Sequence, residues 1–279
     1  METLQTQPLA RSGLRAPVME VFASIQGEGL YVGEPQVFVR LRGCPLRCAW
    51  CDTPGSWELG QGSKARIASL DGPRKVDGDA TPLDLATWVS AVDPHGVRPV
   101  SVTGGEPLLW VDFLHAWRAL VGPRRLHLET AGAHPRALEK VLPIIDHVSL
   151  DLKLPADMHA PVELDEGLVG YGSFSDEPAP RDAEDWSEVR KACLALVRDR
   201  DACAKIVVSG GRSVAGFLPL LDDVAAIVPT LPVILQPATP MGGVERPSNA
   251  LLDALVDEAH ARELRVQVLP QVHRLLGMP

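Results

Sequence analysis

Short apolar runs alternate with longer amphipathic segments along most of the chain. The apolar runs are only a few residues long and are rich in Val, Ile and Leu. Runs of this kind are typical of β-strands that are buried on both faces. The pattern predicts strands at residues 36–42, 99–103, 125–130, 147–153, 204–209, 233–236 and 265–269.

Apolar residues recur at helical spacing between these strands. Thr81 followed by Pro82 is typical of an N-cap and a first helical residue, and it predicts a helix that runs to about Asp93. Further helices are predicted around residues 110–121, 186–197, 217–224 and 251–259. The repeated strand–helix alternation indicates an α/β protein whose parallel strands are joined by right-handed crossovers. It favours a full or partial (β/α) barrel over an open sheet.

Three segments depart from this alternation. Residues 1–16 are polar and lack periodicity, which predicts a flexible N-terminal tail. Residues 59–80 contain several glycines and charges and are interpreted as a loop. Residues 155–185 are acidic and contain prolines, so an excursion or lid is expected there, after the fourth strand. We expect residues 17–279 to form one domain that includes both irregular segments.

Composition and charge exclude several classes of function. Of the 279 residues, 46% are hydrophobic and 23% are charged, which predicts a sizeable core. The net charge of -9 argues against binding to a nucleic-acid backbone, which needs clustered Lys and Arg. No stretch approaches the roughly 18 apolar residues of a membrane span, and the N-terminus lacks the apolar core of a signal peptide. We therefore expect a cytoplasmic protein that binds neither nucleic acid nor membranes.

Three of the five cysteines crowd into eight residues: Cys44, Cys48 and Cys51. They follow directly on a predicted strand, at the end where α/β barrels carry their chemistry. Three soft thiolates could hold an iron–sulfur cluster with one iron left open, or a catalytic zinc, or they could be unligated. A structural zinc site would need a fourth ligand. Cys193 and Cys203 stand apart and are expected to be core thiols.

A second motif ends the strand predicted at residues 99–103, where the sequence is Thr103-Gly104-Gly105-Glu106-Pro107. Glycines at the end of a strand permit a ligand to approach the backbone closely. Glu106 offers a carboxylate that could hold an ammonium group. Alone, a Gly-Gly pair indicates no more than a turn, but its position one strand after the cysteine loop makes the combination specific.

Together these residues resemble the radical S-adenosylmethionine superfamily, whose hallmark is Cys-x3-Cys-x2-Cys followed by a Gly-Gly-Glu-Pro strand end. The resemblance implies a partial (β/α)6-type barrel and a [4Fe–4S] cluster on Cys44, Cys48 and Cys51. The open iron would take the amino and carboxylate groups of S-adenosylmethionine, and reductive cleavage would give a 5′-deoxyadenosyl radical. Trp50 would lie near the adenine.

Flanking residues are similar to the 7-carboxy-7-deazaguanine synthase family, from about residue 19 to the end of the chain. The matching pieces are Gln26-Gly27-Glu28-Gly29, Cys51-Asp52-Thr53, residues 38–41, residues 128–132 and residues 270–273. The resemblance implies conversion of 6-carboxy-5,6,7,8-tetrahydropterin to 7-carboxy-7-deazaguanine with release of ammonia, in queuosine or 7-deazapurine biosynthesis. It also implies a need for Mg²⁺, a flavodoxin or ferredoxin as reductant, and a homodimer.

The family's site residues carry over by position. The resemblance implies that Arg40 pairs with the substrate carboxylate and that Thr53 reaches Mg²⁺ through its hydroxyl. The other implied substrate contacts are Ile25, Gln26, Gly27, Glu28, Thr103 and Pro279. The implied contacts of S-adenosylmethionine are Trp50, Gly104, Gly105, Glu106, Thr130, Asp151, Lys153 and Gln236.

One departure and two alternatives qualify this interpretation. Where many family members have Ser-Pro-Lys, this chain has Asp151-Leu152-Lys153, a triplet also seen in glycyl-radical activating enzymes. Such an enzyme, acting on a partner protein, is the alternative function. A structural metal-binding module is a further alternative, and it predicts zinc in place of iron.

Overall fold

The computed structural model describes residues 13–60, 62–164, 177–241 and 243–279. Its strands are β1 Ala16–Ile25, β2 Pro35–Leu41, β3 Arg47–Cys48, β4 Lys64–Ser69, β5 Gly72–Asp77, β6 Asp79–Ala80, β7 Val100–Gly104, β8 Leu126–Thr130, β9 His147–Asp151, β10 Met158–His159, β11 Ala202–Val208, β12 Val233–Pro237 and β13 Val266–Val268. Its α-helices are α1 Pro82–Val92, α2 Val111–Arg118, α3 Pro135–Val141, α4 Ala183–Leu196, α5 Val214–Ile227, α6 Asn249–Ala261 and α7 Val272–Leu275.

The sheet follows the open order β13-β12-β11-β9-β8-β7-β2-β1-β4-β5. From β13 to β2 along this order, each strand is parallel to the next one, whereas β2 and β1 are antiparallel. Strands β2, β7, β8, β9, β11 and β12 are each followed in sequence by one of the helices α1 to α6. This arrangement confirms the prediction of a partial (β/α)6-type barrel with an irregular stretch after the fourth parallel strand.

Successive helices pack against one another from α1 to α6, so they form one layer over the sheet. Strand β11 is buried at all seven positions, as expected for a strand covered on both faces. The predicted start of α1 is confirmed, because the Thr81 hydroxyl accepts a hydrogen bond from the backbone N–H of Asp84 and the Asp84 carboxylate accepts one from the N–H of Thr81.

The interpretation of residues 59–80 as a loop is wrong. Strands β4 and β5 form an antiparallel hairpin in this segment, and β4 extends the sheet beside β1. Ala65 and Ile67 are fully buried, whereas Lys64 and Arg66 are exposed. This period of two is the signal of a half-buried strand, and the glycines and charges of the segment obscured it.

The start of β1 and the elements within residues 155–185 differ from what the sequence pattern predicted. Strand β1 begins at Ala16, the last residue of the predicted tail, and Ala16 is buried and pairs with Ala80. Within the predicted excursion, β10 pairs with β3 so that Met158 lies opposite Cys48, and α4 already begins at Ala183. Residues 1–12 of the predicted tail and residues 165–176 lie outside the described residues. In the described part of the chain, every helix is too short or too polar to cross a lipid bilayer.

Arg124 and Asp93 form a buried ion pair between the end of α1 and the start of β8. Their side chains are each 5% exposed, and Arg124 also donates to the backbone carbonyls of Asp93 and Arg98. Burial opposes ionisation of Asp93, but the backbone N–H of Arg98 and the guanidinium of Arg124 outweigh it and lower the pKa of that carboxyl.

We expect Arg124→Leu to lower the free energy of unfolding by about 3 to 5 kcal/mol, because it leaves a buried carboxylate without its partner. The matched control is Arg136→Leu, since Arg136 is 66% exposed in its pair with Glu177. That change should cost less than about 1 kcal/mol. Urea denaturation under anaerobic conditions measures the free energy of unfolding of both variants. Equal losses of stability in the two would contradict the prediction.

Candidate active site

One cavity opens at the carboxyl ends of the parallel strands. Thr103, Thr130, Asp151 and Gln236 are the last or next-to-last residues of β7, β8, β9 and β12, and all four line it. The predicted residues Ile25, Gln26, Gly27, Glu28, Arg40, Trp50, Thr53, Gly104, Gly105, Lys153 and Pro279 line it as well. In α/β barrels this end of the sheet carries the chemistry.

The three clustered cysteines lie on the wall of this cavity. A short loop after β2 carries them, and it is held by hydrogen bonds from the N–H of Cys44 to Trp57 O (2.9 Å) and from the N–H of Cys51 to Cys48 O (3.2 Å). Burial raises the pKa of both the Cys44 and the Cys48 thiols, that of Cys48 to about 11. A metal or cluster that binds these sulfurs must therefore displace protons from them.

The donor set fits an iron–sulfur cluster, because three soft sulfur ligands face the same cavity. In the described parts of the chain, no three His, Cys, Asp or Glu side chains are arranged around a point where a single metal ion would bind. A cube of four irons does not need such a point, since three of its irons would each take a separate thiolate. Gln236 Oε1 is buried on the cavity wall with no hydrogen-bond partner among the described residues, which fits an atom that faces a ligand.

The Gly104-Gly105 pair packs against the backbone that leads into the cysteine loop. The N–H of Gly105 donates to Leu41 O (3.0 Å), and the N–H of Glu106 donates to Gly43 O (2.8 Å). A Cβ atom on Gly105 would lie 2.2 Å from Gly43 O. These glycines were expected to let a ligand approach the backbone. In the structure they let two segments of the protein's own backbone approach each other.

Glu106 lies behind the cavity wall. It is fully buried, and its carboxylate accepts hydrogen bonds from Leu108 N (3.0 Å), Thr130 Oγ1 (2.8 Å) and Ala131 N (2.9 Å). These bonds fix the loops on either side of the cavity. The expected contact between Glu106 and the ammonium group of S-adenosylmethionine remains a prediction.

Trp50, Lys153 and Asp151 form one side of the cavity. The Lys153 ammonium lies 4.3 Å from the centroid of the Trp50 ring and 2.5 Å from Asp151 Oδ2. Trp50 Nε1 donates to Asp157 Oδ2 at 3.3 Å, which fixes the indole plane. In the triplet Asp151-Leu152-Lys153, where the family resemblance led us to expect Ser-Pro-Lys, the two charged side chains thus form an ion pair within the site.

The opposite side is built from the segment after β1. Gln26 Nε2 donates to Glu129 Oε1 (2.8 Å), and Thr103 Oγ1 donates to Glu129 Oε2 (2.6 Å). A Cβ atom on residue 27 would lie 1.8 Å from His273 Nδ1, so only glycine leaves room for that imidazole. Arg40 lies on this side, half-buried, with its Nε 2.9 Å from Glu20 Oε1, so its charge has a protein carboxylate beside it.

Several polar residues on the wall received no role from the sequence. Lys205 pairs with Glu28 and Asp151. Asp52 accepts hydrogen bonds from Gln271 Nε2 (3.0 Å) and Arg274 Nη2 (3.1 Å), and these groups lower the pKa of Asp52 although burial opposes the shift. A charged residue within an apolar strand was the available signal for Lys205.

Comparison with known proteins places this site in a class. The family model of the radical SAM superfamily matches residues 38–163, which contain the three cysteines and the Gly-Gly pair. This match places the site, though not yet the whole chain, in the radical S-adenosylmethionine class. It is 32% identical over 268 residues to a 7-carboxy-7-deazaguanine synthase of Methanothermobacter thermautotrophicus, covering 95% of this chain and 98% of that protein. It is 31% identical to the 7-carboxy-7-deazaguanine synthase of Geobacter sulfurreducens, covering 94% and 97%. The chain belongs to the 7-carboxy-7-deazaguanine synthase family.

The fold agrees with this membership. The crystal structure of QueE from Escherichia coli is similar with a TM-score of 0.50 and 23% identity, and the match covers 91% of this chain and 93% of that one. A likeness at this level of identity bears on the fold alone.

Proposed function

We propose that this enzyme converts 6-carboxy-5,6,7,8-tetrahydropterin to 7-carboxy-7-deazaguanine with release of ammonia. The observation that carries the proposal is the single cavity, which brings the cysteine loop, the side with Trp50 and Lys153, and the side with Gln26 and Arg40 to one place. The names of the relatives supply the product. When bound, the cluster and S-adenosylmethionine would supply the radical that starts the reaction.

The residues of this chain would bind and orient the two small molecules. Cys44, Cys48 and Cys51 would hold the cluster. The bond from Arg40 Nε to Glu20 fixes the guanidinium plane, and the two terminal nitrogens would bind the carboxylate of the pterin.

Glu28 and Gln26 would bind polar edges of the pterin ring. Gln26 is held in place by its bond to Glu129, and Glu28 Oε1 accepts a hydrogen bond from Gln271 Nε2 (2.8 Å). The stacked rings of Phe22 and Phe38, with centroids 5.3 Å apart, also line the cavity and would exclude water from it. Pro279 would close this side, where its carbonyl oxygen accepts a bond from Ser24 Oγ at 2.9 Å.

Turnover tests the proposal directly. Anaerobic protein with a reconstituted cluster, dithionite, S-adenosylmethionine, Mg²⁺ and the pterin should give 7-carboxy-7-deazaguanine by mass spectrometry and one equivalent of ammonia. Cleavage of S-adenosylmethionine without this product would overturn the substrate assignment and favour the alternative of a glycyl-radical activating enzyme.

We also propose that Thr53 binds Mg²⁺ through its hydroxyl. Its Oγ1 lies on the cavity wall, 3.4 Å from Asp52 Oδ1, so a second oxygen donor is close by. Thr53→Val should remove the stimulation of turnover by Mg²⁺, whereas Thr53→Ser should keep it because the hydroxyl remains. A titration of Mg²⁺ against turnover measures this, and equal Mg²⁺ dependence in the Val and Ser variants would contradict the assignment.

We propose two partners. The first is a flavodoxin or ferredoxin that donates electrons, and the second is another copy of the chain. The first is tested by replacing dithionite with each reduced donor, and the second by sedimentation equilibrium of the loaded enzyme.

A further inference from the structure

Lys205 is a buried charge in the middle of strand β11, whose other residues are Ala, Cys, Ile and Val. It is 7% exposed, and it lines the cavity. Removing an ammonium group from water costs several kcal/mol unless the group is paired with carboxylates. Lys205 therefore needs the negative charges that surround it.

A row of alternating charges passes through Lys205. On one side its Nζ lies 3.1 Å from Asp151 Oδ1, and Asp151 Oδ2 lies 2.5 Å from Lys153 Nζ, beside the ring of Trp50. On the other side Lys205 donates to Glu28. The row thus begins at the side expected to hold S-adenosylmethionine and ends at the side expected to hold the pterin.

The register of the sheet fixes the central contact. Lys205 and Asp151 are partners in the parallel pairing of β11 with β9, so their backbones cannot separate without breaking that pairing. Burial alone would lower the pKa of Lys205, but the carboxylates of Asp151 and Glu28 raise it well above its ordinary value. Lys205 and Lys153 likewise lower the pKa of Asp151, although burial opposes this shift. Both groups are therefore charged at neutral pH.

We propose that Lys205 is a positioning residue that couples the two halves of the cavity, so that S-adenosylmethionine and the pterin bind cooperatively. This inference rests on the proposed function. A ligand group that binds Glu28 competes with Lys205 for that carboxylate, so Lys205 turns its charge more fully to Asp151. Asp151 then holds Lys153 less strongly, and the second ligand meets a charge arrangement that the first ligand has already changed.

The coupling depends on Asp151, because each of its two carboxylate oxygens faces a different lysine. A serine hydroxyl carries no charge and could not hold two lysines at once. The coupling is thus a property of this chain's own residues.

Isothermal titration calorimetry tests the coupling on the cluster-loaded enzyme under anaerobic conditions. The dissociation constant of S-adenosylmethionine is measured without and with saturating 6-carboxytetrahydropterin, and the ratio of the two is the coupling factor. Wild type should give a factor in the range of about 5 to 150. Lys205→Met and Asp151→Ser should each reduce it to about 1, whereas Lys205→Arg should keep most of it.

The matched control is Lys140→Met, because Lys140 is an exposed lysine on α3 outside the cavity. It should keep the wild-type factor. If Lys205→Met does not fold, Asp151→Ser breaks the same link from its other end and carries the test. A factor unchanged in both variants, or a factor of about 1 in wild type, overturns the coupling but leaves the proposed function standing. Binding of S-adenosylmethionine with no binding of the pterin to wild type overturns the proposed function itself.

Discussion

Cys48→Ala is expected to reduce formation of 7-carboxy-7-deazaguanine to the level of cluster-free protein. The change removes one of three sulfur ligands from the cavity wall, and the two that remain cannot hold a cube with one open iron. Bound iron after anaerobic reconstitution, the absorbance of the cluster and product by mass spectrometry should all fall together.

The matched control for this variant is Cys193→Ala. Cys193 is a fully buried thiol of α4, where its Sγ lies 3.5 Å from Gly132 O, and it does not line the cavity. The control should keep its iron and its turnover and lose about 1 kcal/mol of stability. A Cys48→Ala protein with a full complement of iron and wild-type turnover would refute the assignment of the cluster ligands.

Gly105→Ala should also abolish turnover, for a steric reason. The new Cβ atom would lie 2.2 Å from Gly43 O and 2.9 Å from Ser56 O, and both are backbone atoms that cannot rotate away. The clash must move the segment that carries Cys44. We expect a loss of about 3 kcal/mol in the free energy of unfolding and poor retention of iron.

Gly55→Ala is the matched control for the glycine substitution. Its Cβ atom would meet only Met19 Cε at 3.5 Å, an ordinary van der Waals contact. Thermal unfolding followed by circular dichroism, together with iron analysis, separates the two variants. Retention of iron and stability in Gly105→Ala would mean that the close packing at Gly105 is not needed to hold the cysteine loop.

The parallel core of the fold could be predicted because its strands are short, continuous and apolar. Strand β12 was expected at residues 233–236 and extends over Val233–Pro237, a difference of one residue. The hairpin of β4 and β5 was missed because its alternation is mixed with glycines and charges. Helix α3 was missed as well, since it is only seven residues long and its pattern is too short to show a period.

The candidate site could be predicted where a motif carried it, and not where the fold brought distant residues together. Gln271 donates to Asp52 although the two are 219 residues apart, and Ser24 donates to Pro279 across 255 residues. No local pattern encodes such contacts. Glu106 shows the opposite case, because its motif identified it while the structure buries its carboxylate among protein donors.

Anomalous diffraction at the iron edge tests the central claim most directly. The measurement uses crystals grown anaerobically from the reconstituted enzyme with S-adenosylmethionine and the pterin. The account predicts an iron peak beside Cys44, Cys48 and Cys51, with pterin density between Arg40 and Glu28 in the same cavity. An iron peak away from these cysteines, or pterin density outside this cavity, would contradict it.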